Sequence, residues 1–177
     1  MTPLERPRHT GFSVVELMII VAIVAIVATI ALPSFNELIV QNRLSSQANE
    51  LVAGASLART AAIETNSGGG LCPANATLTG CGGGWQNGWV AWADANGNGN
   101  PDADEVLSVG TINQRDVLAG LPEIRFDGRG RRVEPAAGAG NATLQLSAVY
   151  CPSGKGFVRT LTVSPVGSVS TGKRTCP

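Results

Sequence analysis

The chain has 177 residues, with 13 lysines and arginines against 13 aspartates and glutamates, and a single histidine. Zero net charge excludes a global field that would steer the whole protein onto nucleic acid, and one histidine, His9, leaves Ser-His and Cys-His catalysis without a base in the body of the chain. Twenty-two glycines and 15% charged residues point to one domain of ordinary size, rich in turns.

Residues 1–11 (MTPLERPRHTG) are short, polar and basic, with Arg6 and Arg8 against Glu5. By the positive-inside rule this end stays in the cytoplasm. From Phe12 to Leu32 run 21 residues that are apolar except for Ser13, Glu16 and Thr29, close to the ~20 needed to cross a bilayer as a helix. Glu16 costs roughly 2.5 to 3.5 kcal/mol at a bilayer centre and less toward the interface, so it needs a partner. A secretory signal is cut after its apolar stretch, whereas here the small residue, Gly11, comes before it. A plain single-pass anchor explains the basic leader and the apolar run but not the acid.

The order basic leader, Gly11, Phe12, three residues, Glu16, apolar run resembles the class III signal of type IV pilins and their relatives. The resemblance implies that a prepilin peptidase cuts between Gly11 and Phe12 on the cytoplasmic side and N-methylates Phe12. Residues 1–11 are then a cleaved leader, and the mature chain has 177 minus 11, or 166, residues. The methylated amine stays cationic. Glu16 lies one helical turn on, where its carboxylate can meet that ammonium in the same chain or in a neighbour within a filament.

The helix is expected to continue past the apolar run. From Ser34 to about Asn66 the residues Phe35, Leu38, Ile39, Leu44, Ala48, Leu51, Val52, Ala55, Ala58 and Ala62 recur at three- and four-residue steps. This gives a helix over roughly 12–66, about 80 Å long, oily all round in 12–33 and amphipathic in 34–66, with a kink at Pro33. Ser67-Gly68-Gly69-Gly70 breaks it. Strands are expected at 88–93 and 105–109, joined by a long Asn/Gly loop, then at 124–126, resuming at 131–133 after the turn Asp127-Gly128-Arg129-Gly130. Two more lie at 144–150 and 157–163, and a short one near Ser168 and Val169. The fold class is α+β: one antiparallel sheet of five to seven strands, in a head spanning 67–177, packed on the long helix. Trp89 and Trp92 are an odd number of residues apart, so one packs on the helix and the other on the outer face.

Three features bear on ligands. Four cysteines fall in two local pairs, Cys72 with Cys81 and Cys151 with Cys176, and on the outer side of a bacterial inner membrane they oxidise to disulfides. Zinc is the competing reading, but the spacings are not CxxC and no histidine follows Gly11. The loop 94–105 satisfies the calcium pattern D-x-[DN]-x-[DN]-G-x5-E, offering Asp94, Asn96, Asn98, Asp102 and Glu105 as oxygen ligands with Gly99 at the sharp turn. Strands rather than helices bracket it, and an Asn/Gly hairpin loop produces the same letters for turn reasons alone. Finally, residues 124–177 carry Arg125, Arg129, Arg131, Arg132, Lys155, Arg159, Lys173 and Arg174 against Asp127 and Glu134, eight minus two, or plus six. Lys173 and Arg174 could contact phosphates, with a steep salt dependence, or form a solvated strand end.

The Gly-Trp-Val-Ala-Trp-Ala-Asp segment with its Asn/Gly loop, Ile-Arg-Phe-Asp-Gly-Arg-Gly at 124–130 and the ending Gly-Lys-Arg-Thr-Cys look like the GspH/FimT group of minor pilins. The resemblance implies the type IV pilin fold and a low-abundance structural subunit, without enzymatic activity or a required cofactor. Its implied partners are the major pilin, other minor pilins, the prepilin peptidase and the inner-membrane assembly platform. The implied location is a single pass of the bacterial inner membrane with the head periplasmic, and then the pilus surface, at or near the tip. Three roles stay open: pilus assembly, a pseudopilus of type II secretion, and DNA uptake. DNA-binding relatives share a Gly-Arg-x-Arg tail element, of which Gly172-Lys173-Arg174 keeps the glycine and the charge but not the arginine spacing.

Overall fold

The computed structural model describes residues 11–136, 138 and 140–177; the remainder of the leader, with Arg6, Arg8 and His9, lies outside them. The chain divides into two compact units, the first ending at Ile39 and the second running Val40–Pro177. Helix α1, Val14–Thr65, belongs to both. It starts at Ser13, whose hydroxyl oxygen accepts the Val15 N–H at 3.2 Å and whose carbonyl accepts the Leu17 N–H at 3.1 Å, which satisfies donors that a helix N-terminus otherwise leaves unpaired. It bends at residues 30–33, between Val14–Thr29 and Ser34–Thr65, the stretch that contains Pro33 and so lacks one backbone donor. It ends where Asn66 takes a left-handed φ of 51° and the Ser67 N–H returns to the Ala62 carbonyl at 3.2 Å.

In the first unit the apolar face is the whole circumference. The large side chains from Val14 to Val27, with Leu32, are 45 to 76% exposed. Thr29 silences its own hydroxyl by donating to the Ile26 carbonyl at 2.7 Å. Neither straight segment of α1 is by itself long and apolar enough to cross a membrane; the bent pair meets that requirement by length and composition only.

In the second unit the described residues form two antiparallel sheets rather than one. The first, ordered β3-β2-β1-β5-β6, uses β1 (Gly68–Pro73), β2 (Trp89–Asp94), β3 (Val106–Gly110), β5 (Ile124–Asp127) and β6 (Arg132–Glu134). The second, ordered β4-β7-β8-β9, uses β4 (Asp116–Ala119), β7 (Ala142–Ala148), β8 (Val158–Val163) and β9 (Val169–Arg174). The chain changes sheet at Asn113, whose side-chain oxygen accepts the Arg115 N–H and whose carbonyl accepts the Asp116 N–H, so β4 turns away from the edge of β3.

Both sheets close on one stripe of α1. Leu44, Ala48, Leu51, Ala55, Ala58 and Ala62 are buried against Leu71, Trp89, Ala91, Ile124 and Phe126 of the first sheet and Leu144, Leu146, Leu161 and Val163 of the second. Phe35, Leu38 and Ile39 share the periodicity but are 47 to 61% exposed, so the covered stripe is shorter than the pattern. Strand β1, whose glycines were expected only to break the helix, is the centre of the first sheet. A Cβ at Gly69 would sit 2.9 Å from the Ala58 carbonyl and 2.8 Å from that of Trp92, so only glycine lets the strand pass this close to the helix. Trp89 lies against the helix at Gly54, where a Cβ would be 2.5 Å from its ring. Trp92 faces the opposite side, as the pleat requires, but is 1% exposed. A second small core of Cys72, Ala74, Val90 and Trp92 lies there, with Leu78, Cys81 and Val106 packed on it.

One charged clamp joins helix to sheet. Asp116, its side chain fully buried, accepts Nε and Nη2 of Arg43 at 2.7 Å each and Nε2 of Gln47 at 2.6 Å, while Gln47 Oε1 accepts the Asn113 N–H at 2.9 Å. The hydrogen bond to Asp116 raises the Arg43 pKa against the opposing effect of burial. Asp116→Ala strands a guanidinium and an amide without their acceptor and is expected to cost about 2 to 4 kcal/mol. Urea unfolding followed by tryptophan fluorescence measures this, and the paired change Arg43→Met with Asp116→Leu is expected to recover most of the loss.

Candidate assembly helix and head surfaces

The N-terminal site is the first turn of α1. Gly11 and Phe12 precede the helix, Phe12 is 73% exposed, and Glu16 is an exposed acid in the first turn. A carboxylate there is favoured by the partial positive charge of the helix N-terminus. Glu16 has no hydrogen bond or ion pair to any of the described residues, and one turn further on every large side chain is apolar and uncovered. The arrangement offers one acid at the head of an oily rod, suited to meeting a cation brought by a neighbour.

On the head, both expected disulfides are present, Cys72–Cys81 with Cα atoms 5.6 Å apart and Cys151–Cys176 at 5.5 Å. The second fixes the tail: Cys176 N–H donates to the Lys155 carbonyl at 2.8 Å and Gly154 N–H to the Cys176 carbonyl at 3.2 Å. Lys173 and Arg174 stand on β9, with Lys173 opposite Arg159 and Arg174 opposite Val158. Lys173 Nζ donates to Gln41 Oε1 at 2.9 Å, and Arg174 is exposed.

The eight basic residues of 124–177 do not form the patch their count suggests. Arg125 lies 5.4 Å from the Trp92 ring centroid and donates to the Gly99 carbonyl. Arg131 pairs with Asp127 at 2.9 Å. Arg132, counted among the basic residues of 124–177, is 1% exposed and donates to the carbonyls of Pro135 and Gly140. Arg159 is 8% exposed, held by Ser45 Oγ at 3.1 and 3.2 Å and by the carbonyls of Gly156, Val158 and Gln41. Burial lowers its pKa. Arg132 and Arg159 are committed inside the fold and Arg125 is half-buried, whereas Arg131 stays at the surface in an exposed ion pair. Nothing in the local sequence of Arg132 and Arg159 distinguishes them from solvated cations.

The loop 94–105 folds over the outer face of the first sheet. Asp94 Oδ2 accepts the Gly99 N–H at 2.9 Å, Asn96 Oδ1 that of Asn98 at 2.9 Å and Asn98 Oδ1 that of Asn100 at 2.7 Å. Asp102 Oδ2 receives the amides of Asn96 and Asn98 at 2.9 and 2.8 Å. Glu105 accepts the N–H groups of Ala95, Asn96 and Asp102, the last in a reciprocal cap on the 3₁₀ turn Ala103–Glu105. Among the described residues no three Asp, Glu, His or Cys side chains converge on one point as they stand.

A long helix whose second half is covered by antiparallel sheets, and whose apolar first half is left open behind a single acid, defines the type IV pilin class. The description "Type II transport protein GspH" matches residues 47–167, and "Prokaryotic N-terminal methylation motif" matches residues 6–32. The chain belongs to the GspH family. Its fold is similar to that of the type IV minor pilin FimU of Pseudomonas aeruginosa in two crystal forms. In one the TM-score is 0.53 at 18% identity, over 77% of this chain and 96% of FimU; in the other it is 0.51 at 17%, over 75% and 98%. No curated protein matches the chain in sequence.

The turn 127–131 carries a pH signature. Desolvation pushes the Asp127 carboxyl up, but the N–H and guanidinium of Arg131 and the N–H of Arg129 outweigh it and leave its pKa below the ordinary 3.8. A carboxyl depressed in the folded state stabilises it above that ordinary value and loses the contribution as pH falls through its own lower pKa. Asp127→Asn is therefore expected to lower the melting temperature slightly at pH 6 and to narrow the gap from wild type below pH 3.8, as scanning calorimetry at both values would show.

Proposed function

We propose that this protein is a minor pilin, a structural subunit built at low abundance into a type IV filament. The observation that carries this reading is the rod of exposed apolar side chains from Val14 to Val27, with Leu32, headed by Glu16, an acid with no partner among the described residues. In water that surface is untenable. A bilayer accommodates it before assembly, and the helices of other pilins accommodate it in a filament core. The prepilin peptidase cuts between Gly11 and Phe12 and methylates the new amine, and Glu16 pairs with the N-terminal ammonium of an adjacent subunit. The head, periplasmic before assembly, then lies on the filament surface at or near its tip. The role is architectural, with no catalytic step.

A second reading is a pseudopilus subunit of type II secretion, favoured by the description of the matched family. The DNA-receptor reading is weakened because Arg132 and Arg159 are buried, Arg125 is half-buried over Trp92, and the exposed Arg131 is paired with Asp127. Glu16→Ala should leave cleavage, membrane insertion and disulfides intact and reduce the protein in sheared filaments by about tenfold or more, the equivalent of ~1.4 kcal/mol per site. Quantitative immunoblotting of sheared and membrane fractions reads this, and wild-type incorporation of the variant would refute the pairing.

A further inference from the structure

We propose that the loop 94–105 is a calcium site, with Asp94 as its first ligand, Asn96, Asn98, Asp102 and Glu105 completing the side-chain set, and the Asn100 carbonyl at the seventh position. Sequence pattern alone does not establish this, because turn chemistry explains the asparagines and glycines. Asp94 is the independent observation. It is 5% exposed, Oδ2 is held by the Gly99 N–H, and Oδ1 is sealed from solvent with no hydrogen-bond partner among the described residues. An acceptor in that position pays its desolvation with nothing in return.

Asp94 reaches the loop through Oδ2, which holds the Gly99 N–H, and among the described residues no lysine or arginine pairs with its carboxylate. Asp94 ends β2 on the same face as Trp92, opposite the glycine Gly68, which leaves the carboxylate room without covering it. Its two oxygens share one carbon, so Oδ1 lies beside the oxygen that grips Gly99 at the loop's sharp turn, where Gly97 and Gly99 both adopt φ of 75°. Arg125 reaches the Gly99 carbonyl and lies over Trp92 rather than pairing with Asp94. Asn96 and Asn98 each spend one lone pair on a backbone N–H and retain the other. The carboxylate oxygen of Asp102, drawn in by their two amides, would exchange those neutral donors for a divalent charge. The donor set is all oxygen and contributed by a pliable loop, which suits calcium at six to eight ligands rather than the rigid octahedron of magnesium.

The consequence is a loop locked onto the outer face of the first sheet in calcium-rich extracytoplasmic surroundings. The test uses the full chain in detergent. Calcium should raise its melting temperature by about 5 to 10 °C at saturation, with a midpoint in the ~10⁻⁴ to 10⁻³ M range of extracellular modules, and magnesium should do much less. Terbium should give luminescence sensitised by the nearby Trp92. Asp94→Asn should abolish both effects. Asn98→Asp serves as a gain-of-function arm that does not depend on the folding of that variant: an added carboxylate ligand should tighten calcium about tenfold. The proposal is overturned if wild type and Asn98→Asp melt alike in EDTA and in ~10 mM calcium, or if Asp94→Asn keeps the full calcium shift.

Discussion

The second unit depends on one contact: the stripe Leu44, Ala48, Leu51, Ala55, Ala58, Ala62 of α1 against two sheets at once. Its residues shrink along the helix, from leucines toward Val40 to alanines toward Thr65. Where the helix presents only methyl groups, the sheet answers with glycines in β1 and comes within van der Waals reach of the helix backbone at Ala58. Where it presents leucines, the second sheet fills the space with Leu144, Leu146 and Leu161. The Asp116 clamp fixes the register of this packing by tying Arg43 and Gln47 to the start of β4.

The same helix carries an uncovered half. Each large apolar side chain left in water forgoes about 1.5 to 3 kcal/mol of burial, and those from Val14 to Val27, with Leu32, stand exposed. Such a surface acquires meaning only in another medium, lipid or the packed helices of a filament. Glu16 gives that surface an end and a polarity. Coupling in one helix an anchoring half and a half that organises a folded head is what makes the chain a pilin rather than a tethered domain.

Much of this was legible in the sequence because it rests on patterns with a physical period. The helix and the placing of Trp89 and Trp92 on opposite faces follow from spacing, and the grouping of the four cysteines into two local pairs pointed to the two disulfides. What escaped was set by tertiary approach. Gly68-Gly69-Gly70 has the composition of a loop, and only the closeness of Ala58 turns it into a central strand. Asp116 opens a four-residue strand with little to announce it, and missing β4 merges two sheets into one. Arg132 and Arg159 look like surface charges because their partners are carbonyls and a serine hydroxyl distant in sequence, for which no charge pattern exists. Exposed Trp92 was expected for the same reason: the loops that cover it are irregular.

The central claim, that the apolar run is retained as an assembly element rather than removed as a signal or used as a plain anchor, is tested most directly by the intact mass and N-terminal fragment ions of the protein recovered from bacterial envelopes. A filament subunit gives a chain of 166 residues, 177 minus 11, beginning at Phe12, with one methyl group on its amine and two disulfides. A chain beginning at Met1, or cut after the apolar run beyond Leu32, would contradict it.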